Sequence, residues 1–481
     1  MSTTHLPAGA PARGLRVHVV KAAASGLADD VAAAVDIATT TKAPVVLPAP
    51  AGESRIVSVL GDQPGLERWR WAAAAAARVA LSMKASAVTL VATDIGDPDV
   101  IAALVEGYRL GAYRYTDYTS ADSPAEADLF VQAAGDPSRA IEIADIRADV
   151  TAFARDLVNT PPDAKMPAVL ADRIGEAAAS ASVRVEIWGK EQIEAEGMGG
   201  LLGVNRGSLD PPRFVTLEWA PEGREDDAPV VLVGKTVTYD TGGLSLKPTK
   251  GSMDKMKADM GGGAAVAGAV IGAARLGLPV RVMGLLPMSD NRPGGRAYAP
   301  GDVLTMHSGT TVEVMNTDAE GRLLLADALS YARQLAPRWV LDVATLTGGQ
   351  GIALGERVAA IVTRPDDDGL GRRVQEAGEA TGDLAWPLPL FPHYKRQLDS
   401  DVADLSNTGG RMGSTITAAA FLEHFTRMDG EPAYPWAHVD LARPAFLDAP
   451  YGYRPKGATG FGVRLILDLL ADEARDSPVA S

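Results

Sequence analysis

The chain has 481 residues, with 46 Lys and Arg against 61 Asp and Glu and a formal net charge of −15, which disfavours unspecific attraction to nucleic acid or an anionic membrane. Hydrophobic residues make up 46% and charged residues 22%, the mix of a globular protein, and the length calls for two domains. No cysteine occurs, which excludes a disulfide framework, a thiolate nucleophile and a cysteine-based zinc site and suits a reducing cytoplasm.

Residues 1–14, with Pro7 and Pro11 and no basic stretch leading into an apolar one, read as a flexible arm and not a secretory signal. Apolar or β-branched runs at Leu15–Val20, Arg55–Leu60, Ala87–Ala92 and Asp128–Gln132 predict strands, and Glu67–Met83 and Pro98–Tyr113 predict helices between them. The Ala72–Ala77 run predicts a tightly packed helix face. This alternation predicts a smaller N-terminal α/β domain, 15–160, with a mostly parallel sheet. A helical stretch from Arg139 to Val158 closes it, because the helix cannot continue through Pro161-Pro162. Strand-like runs then recur at Val183–Trp188, Phe214–Trp219, Val230–Val233, Val280–Leu286, Thr311–Met315 and Trp339–Ala344. They predict a larger C-terminal α/β domain, 161–481, with a central mixed sheet flanked by helices. Met260–Ala274 is too short and too rich in small residues to span a membrane, and Asp472–Ser481 reads as a frayed end.

The chemistry-bearing residues gather after two strands. Asn316-Thr317-Asp318-Ala319-Glu320-Gly321-Arg322 follows the run at Thr311–Met315 and precedes a helical one, and in α/β sheets ligands bind at the carboxyl ends of strands. If extended, this segment would turn Asn316, Asp318, Glu320 and Arg322 to one face and Thr317, Ala319 and Gly321 away from it. The same residues equally suit a capped helix start with an Asp318–Arg322 pair. A second cluster follows Val230–Val233 and carries Lys235, Asp240, Lys247 and Asp259, with glycines at 242–243 and 261–263 that would let backbone approach a ligand. A solvated hairpin would explain any one of these charges, but not an acid set just before each glycine run. Asp240, Asp259, Asp318 and Glu320 are oxygen donors suited to hard cations or zinc, and four carboxylates neutralise two divalent ions. Beside a cation a lysine can lose its proton and ligate, which makes Lys235 a further candidate.

Rival readings fail at specific positions. A phosphate-binding loop ending in Gly234-Lys235-Thr236, the mark of a nucleotide hydrolase, needs glycine at 229, where Pro229 stands. The dinucleotide spacing that starts at Gly261 and Gly263 fails at Val266. No HExxH surrounds any of the six histidines and no GxSxG occurs, which disfavours single-zinc peptidases and serine hydrolases; His438, in an apolar run, reads as a core residue with a satisfied hydrogen bond. A non-enzymatic binding protein would not need so many acids beside glycine.

These segments resemble the leucyl (cytosol) aminopeptidase family of dinuclear exopeptidases. NTDAEGRL at 316–323 is similar to its signature, and VGKTVTYDTGGLSLKP (233–248), MKADMGGGAAV (256–266), ARDLVNTPP (154–162), ADLSNTGGR (403–411), WAHVDLA (436–442) and ATGFGVRLI (458–466) are similar to further family motifs. The resemblance implies a cytoplasmic homohexamer that releases N-terminal residues, leucine and other apolar ones first, from peptides through attack by a water bridging two Mn2+ or Zn2+ ions. It implies Lys235, Asp240, Asp259 and Glu320 around one metal and Asp240, Asp318 and Glu320 around the other. Lys247 is implied to polarise the scissile carbonyl, Arg322 to hold a bicarbonate that serves as general base, and the Leu346 backbone to stabilise the tetrahedral intermediate. Met256, Thr345, Gly348 and Ala442 match the pocket for the first substrate residue, and Asn316 joins them as a substrate-binding candidate. The sequence departs from the family in one extra residue between Lys247 and Asp259, in Arg443 where glycine is common, and in Tyr239 and Thr241 for Phe and Ser.

Overall fold

The computed structural model describes residues 2–21, 29–48, 54–120 and 127–476, and the chain divides into two compact units, 1–152 with 448–457 and 153–447 with 458–481. The division falls inside a long helix rather than at 160, and a short late segment belongs to the first unit.

In the first unit the order along the chain is β1 (Thr3–Pro7), β2 (Leu15–Val20), α1 (Asp29–Thr41), β3 (Val45–Leu47), β4 (Arg55–Val59), α2 (Glu67–Ser82), β5 (Ala87–Ala92), α3 (Pro98–Ala112), β6 (Asp128–Ala133) and α4 (Ser138–Asn159), the last crossing into the second unit. The sheet order is β1-β6-β5-β2-β4-β3, and every pair is parallel except β3–β4. The expectation of a loose arm fails at Thr3–Pro7. That segment is an edge strand paired with β6, and Asp145 anchors it by accepting from the Thr3 N–H at 2.8 Å and the Thr3 hydroxyl at 2.6 Å. The alanine run of α2 is buried as its small side chains predict, with Ala73, Ala74, Ala76 and Ala77 wholly inaccessible, and α2 packs on α3.

The second unit continues with α5 (Pro167–Ser180), β7 (Arg184–Trp188), α6 (Lys190–Ala195), α7 (Gly199–Asn205), β8 (Arg213–Trp219), β9 (Val230–Gly234), β10 (Thr236–Asp240), α8 (Gly261–Leu276) and β11 (Val282–Asn291). It then runs through β12 (Val303–Thr305), β13 (Thr311–Glu313), α9 (Gly321–Ala332), β14 (Trp339–Ala344), α10 (Gly348–Leu354), β15 (Ala359–Thr363) and β16 (Ala385–Leu388) to a strand at Trp436–Asp440 and a helix at Val463–Asp476. This helix extends through the described part of the end read as frayed; 477–481 lie outside the described residues. The mixed sheet runs β16, β15, Trp436–Asp440, β14, β9, β11, β8, β7, with β10 also on β11. Its central strands β9, β11 and β14 are buried along their whole length, which is why they read as mainly apolar runs and not as alternation.

One irregularity opens the cleft. β11 is long enough to pair with β9 through Val282–Leu285 and then with β10 through Met288–Asn291. β9 also pairs with β14, but the chain parts from that neighbour at Lys235, whose N–H donates to the Val343 carbonyl at 3.0 Å, and continues on β11 alone. The carboxyl ends of β10 and β14 therefore diverge, and such a crevice is where an α/β sheet holds its ligand. The glycines at 261–263 prove to serve packing. A Cβ on Gly262 would lie 2.0 Å from the Val343 carbonyl oxygen, so glycine lets the start of α8 rest on sheet backbone. No helix among the described residues is long and apolar enough to cross a membrane.

Candidate active site

Lys235 stands where β9 breaks off and is almost fully buried. Its Nζ donates to Asp259 Oδ1 at 2.8 Å and to the Thr345 carbonyl at 2.8 Å, and meets Glu320 Oε1 at 2.9 Å, so all three protons are used. Burial alone would lower its pKa, but Asp259, Glu320 and Asp240 outweigh it and hold the ammonium above the ordinary lysine range. The side chain reaches this position across Gly321, where a Cβ would lie 2.3 Å from Lys235 Cε.

Asp240 ends β10. Its Oδ1 accepts from the Gly242 N–H and from Asn291 Nδ2, both at 2.8 Å, and its Oδ2 meets Lys247 Nζ at 2.8 Å. Burial and the neighbouring Glu320 raise this carboxyl to about 7 against the opposing pull of Lys247 and Lys235. Lys247 also pairs with Asp318, and although burial opposes it, Asp240 and Glu320 keep it protonated well beyond ordinary lysine. Asp259, at the end of a short 3-10 turn, accepts from Lys235 and from the Thr345 hydroxyl at 2.9 Å through Oδ1, and burial raises its pKa strongly. Glu320 moves the other way: burial would raise it, but Lys235 and Lys247 pull it below the usual range.

The 316–322 segment reaches the cluster by a turn and not by a pleat. β13 ends at Glu313, Asn316 Oδ1 accepts the Asp318 N–H at 2.8 Å, and Glu320 is the residue before α9, which carries Arg322. Thr317 therefore does not face away from the site as an extended strand would require. Its hydroxyl donates to the Gly242 carbonyl at 2.6 Å and accepts the Ser245 N–H at 2.8 Å, tying this turn to the loop that carries Lys247. Nor do Asp318 and Arg322 pair: Asp318 meets Lys247, while Arg322 donates to the Asn407 carbonyl at 2.8 Å. Arg322 is buried with no partner for its Nε among the described residues, and burial lowers its pKa to about 10.

Met256, Thr345, Leu346, Gly348 and Ala442 line one cavity of about 260 Å³ with Lys235, Asp240, Lys247, Asp259, Asp318 and Glu320; Asn316 and Arg322 stand outside its lining. Leu346 has its N–H committed to Asp440 Oδ1 at 3.1 Å. The longer loop before Asp259 is fastened by Tyr239, whose hydroxyl donates to the Met253 carbonyl at 3.1 Å, a bond phenylalanine could not make. Sequence reasoning passed over Asn291 and Asp440, which hold Asp240 and the Thr345–Thr347 turn from strands remote in sequence. His438 is half satisfied: its Nδ1 meets Asp342 Oδ1 at 2.5 Å, and its buried Nε2 lacks a partner.

Cations fit this donor set. One carboxylate oxygen from each of Asp240, Asp318 and Glu320 lies within 4.8 Å of the others, and the buried Asp259 Oδ2 and Glu320 Oε2 have no hydrogen-bond partner. Buried carboxylate oxygens without partners are costly, and hard divalent ions take oxygen ligands. Fold and site together define a mixed α/β protein with a cation-fitting carboxylate and lysine centre in a cavity at the ends of its strands.

Comparison with known proteins identifies the family. Residues 152–467 match the catalytic domain of the cytosol aminopeptidase family and 11–122 match its N-terminal domain. A probable cytosol aminopeptidase of Chlorobaculum tepidum is 45% identical over 439 residues, 86% of this chain and 85% of the relative, and one of Micrococcus luteus is 44% identical over 425 residues, 85% and 82%. Among solved structures, the bottromycin maturation enzyme BotP in complex with Mn superposes with TM-score 0.85 at 37% identity, covering 96% of this chain and 100% of its own. A tomato leucine aminopeptidase variant superposes with TM-score 0.87 at 28% identity, covering 98% and 96%. The chain belongs to the cytosol aminopeptidase family and is a metal-dependent aminopeptidase, a hydrolase acting on peptides.

Proposed function

We propose that this protein releases N-terminal residues, leucine and other apolar ones first, with two divalent cations held by Lys235, Asp240, Asp259, Asp318 and Glu320. In this reading Lys235, Asp240, Asp259 and Glu320 would hold one cation and Asp240, Asp318 and Glu320 the other. The observation that carries it is the convergence of the three carboxylates, with two further buried oxygens left without partners. Bound cations supply Lewis acidity and make water a nucleophile near neutral pH. Lys235 enters such a shell only as the neutral amine, so loading releases its proton. Lys247, kept charged and lining the cavity, donates to the oxygen of the scissile carbonyl as negative charge develops there. Leu346 contributes through its carbonyl, because its N–H is taken. Arg322 supports a bicarbonate as general base, consistent with a buried Nε that has no partner among the described residues, although the residue stands outside the cavity lining.

Apolar preference is supported by Met256 and Ala442, with Thr345 and Gly348 completing the pocket for the first residue. The Mn-bound relative at 37% identity favours manganese, and zinc suits the same donors. We assign the protein to the cytoplasm as a homohexamer, which light scattering would check against six times the 50.1 kDa chain mass. The test of function is leucine amide hydrolysis after chelation and after adding back Mn2+ or Zn2+. Activity should vanish and return with metal; turnover indifferent to chelation would refute the dinuclear reading.

A further inference from the structure

Arg443 stands in the lining of the same cavity and is exposed. Its backbone is pinned from two sides. The Ala442 N–H donates to Asp440 Oδ1 at 3.2 Å, and the Arg443 N–H donates to Gln350 Oε1 at 3.0 Å. Gln350 is itself fixed, since its Nε2 donates to the Val358 carbonyl at 2.6 Å and its N–H to the Thr347 hydroxyl at 3.2 Å. The arginine stem then lies over Gly351 in α10: a Cβ there would fall 2.3 Å from Arg443 Cγ and 3.1 Å from Nε. Glycine at 351 thus leaves the groove in which the stem rests. Among the described residues the guanidinium forms no ion pair. The acids of this cavity are the four of the cluster, and its lining also carries Lys255 and Arg443. An arginine with its backbone held and its stem seated, lining a cavity without an acid paired to it among the described residues, has the chemistry to receive a carboxylate brought by a ligand.

We propose that Arg443, without displacing the preference for apolar first residues, favours the acidic member of peptides otherwise matched in size, with the carboxylate beside the cleaved bond on the side chain of the first residue or of the second. This rests on the reading of the cavity as the pocket for the first substrate residue. It sets a charged rim above an apolar floor.

The test compares peptide pairs that differ only in charge, all capped as C-terminal amides. Glu-Ala against Gln-Ala places the carboxylate on the first residue, and Leu-Glu against Leu-Gln places it on the second. Wild-type kcat/KM should favour the acidic member of one pair by about fivefold, the scale of a partly exposed ion pair, and the ratio should shrink as salt rises. The ratio should fall to about one in Arg443→Gln. Gly351→Ala, which keeps the charge but occupies the groove under the stem, should cut it as well, and alanine is the better helix former. Calorimetric binding of the same peptides with the scissile amide reduced should repeat the order without turnover. Equal rates within both pairs, or a ratio that survives Arg443→Gln, would leave a solvated arginine only and overturn the assignment. A ratio that survives Gly351→Ala alone would overturn the role of the groove. If metal-loaded enzyme cleaved none of the four, the aminopeptidase reading itself would fall too, an outcome separable from equal cleavage of all.

Discussion

Lys235 spends its three protons on Asp259, Glu320 and the Thr345 carbonyl and is 2% exposed, whereas Lys247 meets Asp240 and Asp318 and is 14% exposed. The two ammonium groups therefore separate into one closed inside the donor cage and one more open to the cavity. Lys247→Ala should lower kcat by about 100-fold or more, the scale of losing one donor to a developing oxyanion, with metal content unchanged by elemental analysis. Lys235→Ala should lose metal instead; the reverse pattern would exchange the two roles. Gly321→Ala tests the cage from below, since its Cβ would lie 2.3 Å from Lys235 Cε. Overpacking of that kind costs about 1–3 kcal/mol, so a lowered melting temperature with loss of bound metal is the expected result. These charges were legible in the sequence because acids and lysines crowd two short segments. Asn291 was not, because an asparagine at a strand end carries no mark of the carboxylate that it will hold.

At the level of elements, the handover of β11 from β9 to β10 delivers Lys235 and Asp240 to one crevice from a stretch of which the sequence marked only Val230–Val233 as a strand. A period-two or apolar pattern predicts a strand but not which neighbour it leaves, so the crevice was invisible. Asn316–Arg322 shows the converse: its face was expected from a pleat and is made by a turn and a helix start. In the first unit, β2 carries His18, lowered to about 4 from 6.5, by burial first and then by Arg55 and Arg16. The folded chain keeps it neutral while the unfolded chain takes up a proton below about pH 6.5, so stability falls as pH drops from there towards 4. Partial exposure reduces the contribution to about 1–2 kcal/mol. Urea unfolding at pH 7 and pH 4.5 should show a smaller acid loss in His18→Gln than in wild type.

Over the whole molecule, the cluster draws Lys235 and Asp240, Asp259, and Asp318 and Glu320 from three separated segments, and Thr345 from a fourth. A metal bound there closes long loops and binds the folded chain only. Mn2+ or Zn2+ at about 100 times its Kd should add about 2.7 kcal/mol to the second unit, seen as a rise in its melting temperature that Glu320→Gln abolishes. If saturating metal left that melting transition unmoved, the cluster would not be the metal site.

Residue chemistry and local periodicity already determined the α/β class, the longer strands and a few of the helices, and the acids and lysines that gather in the cavity, because charge, apolar runs and proline or glycine breaks act over a few residues. The tertiary structure alone decided that Thr3–Pro7 is an edge strand, that the 261–263 glycines serve packing, that Thr317 faces the site, and that Arg443 lies on Gly351. Each depends on a neighbour far along the chain, and no local pattern specifies which surfaces will meet once the chain has folded.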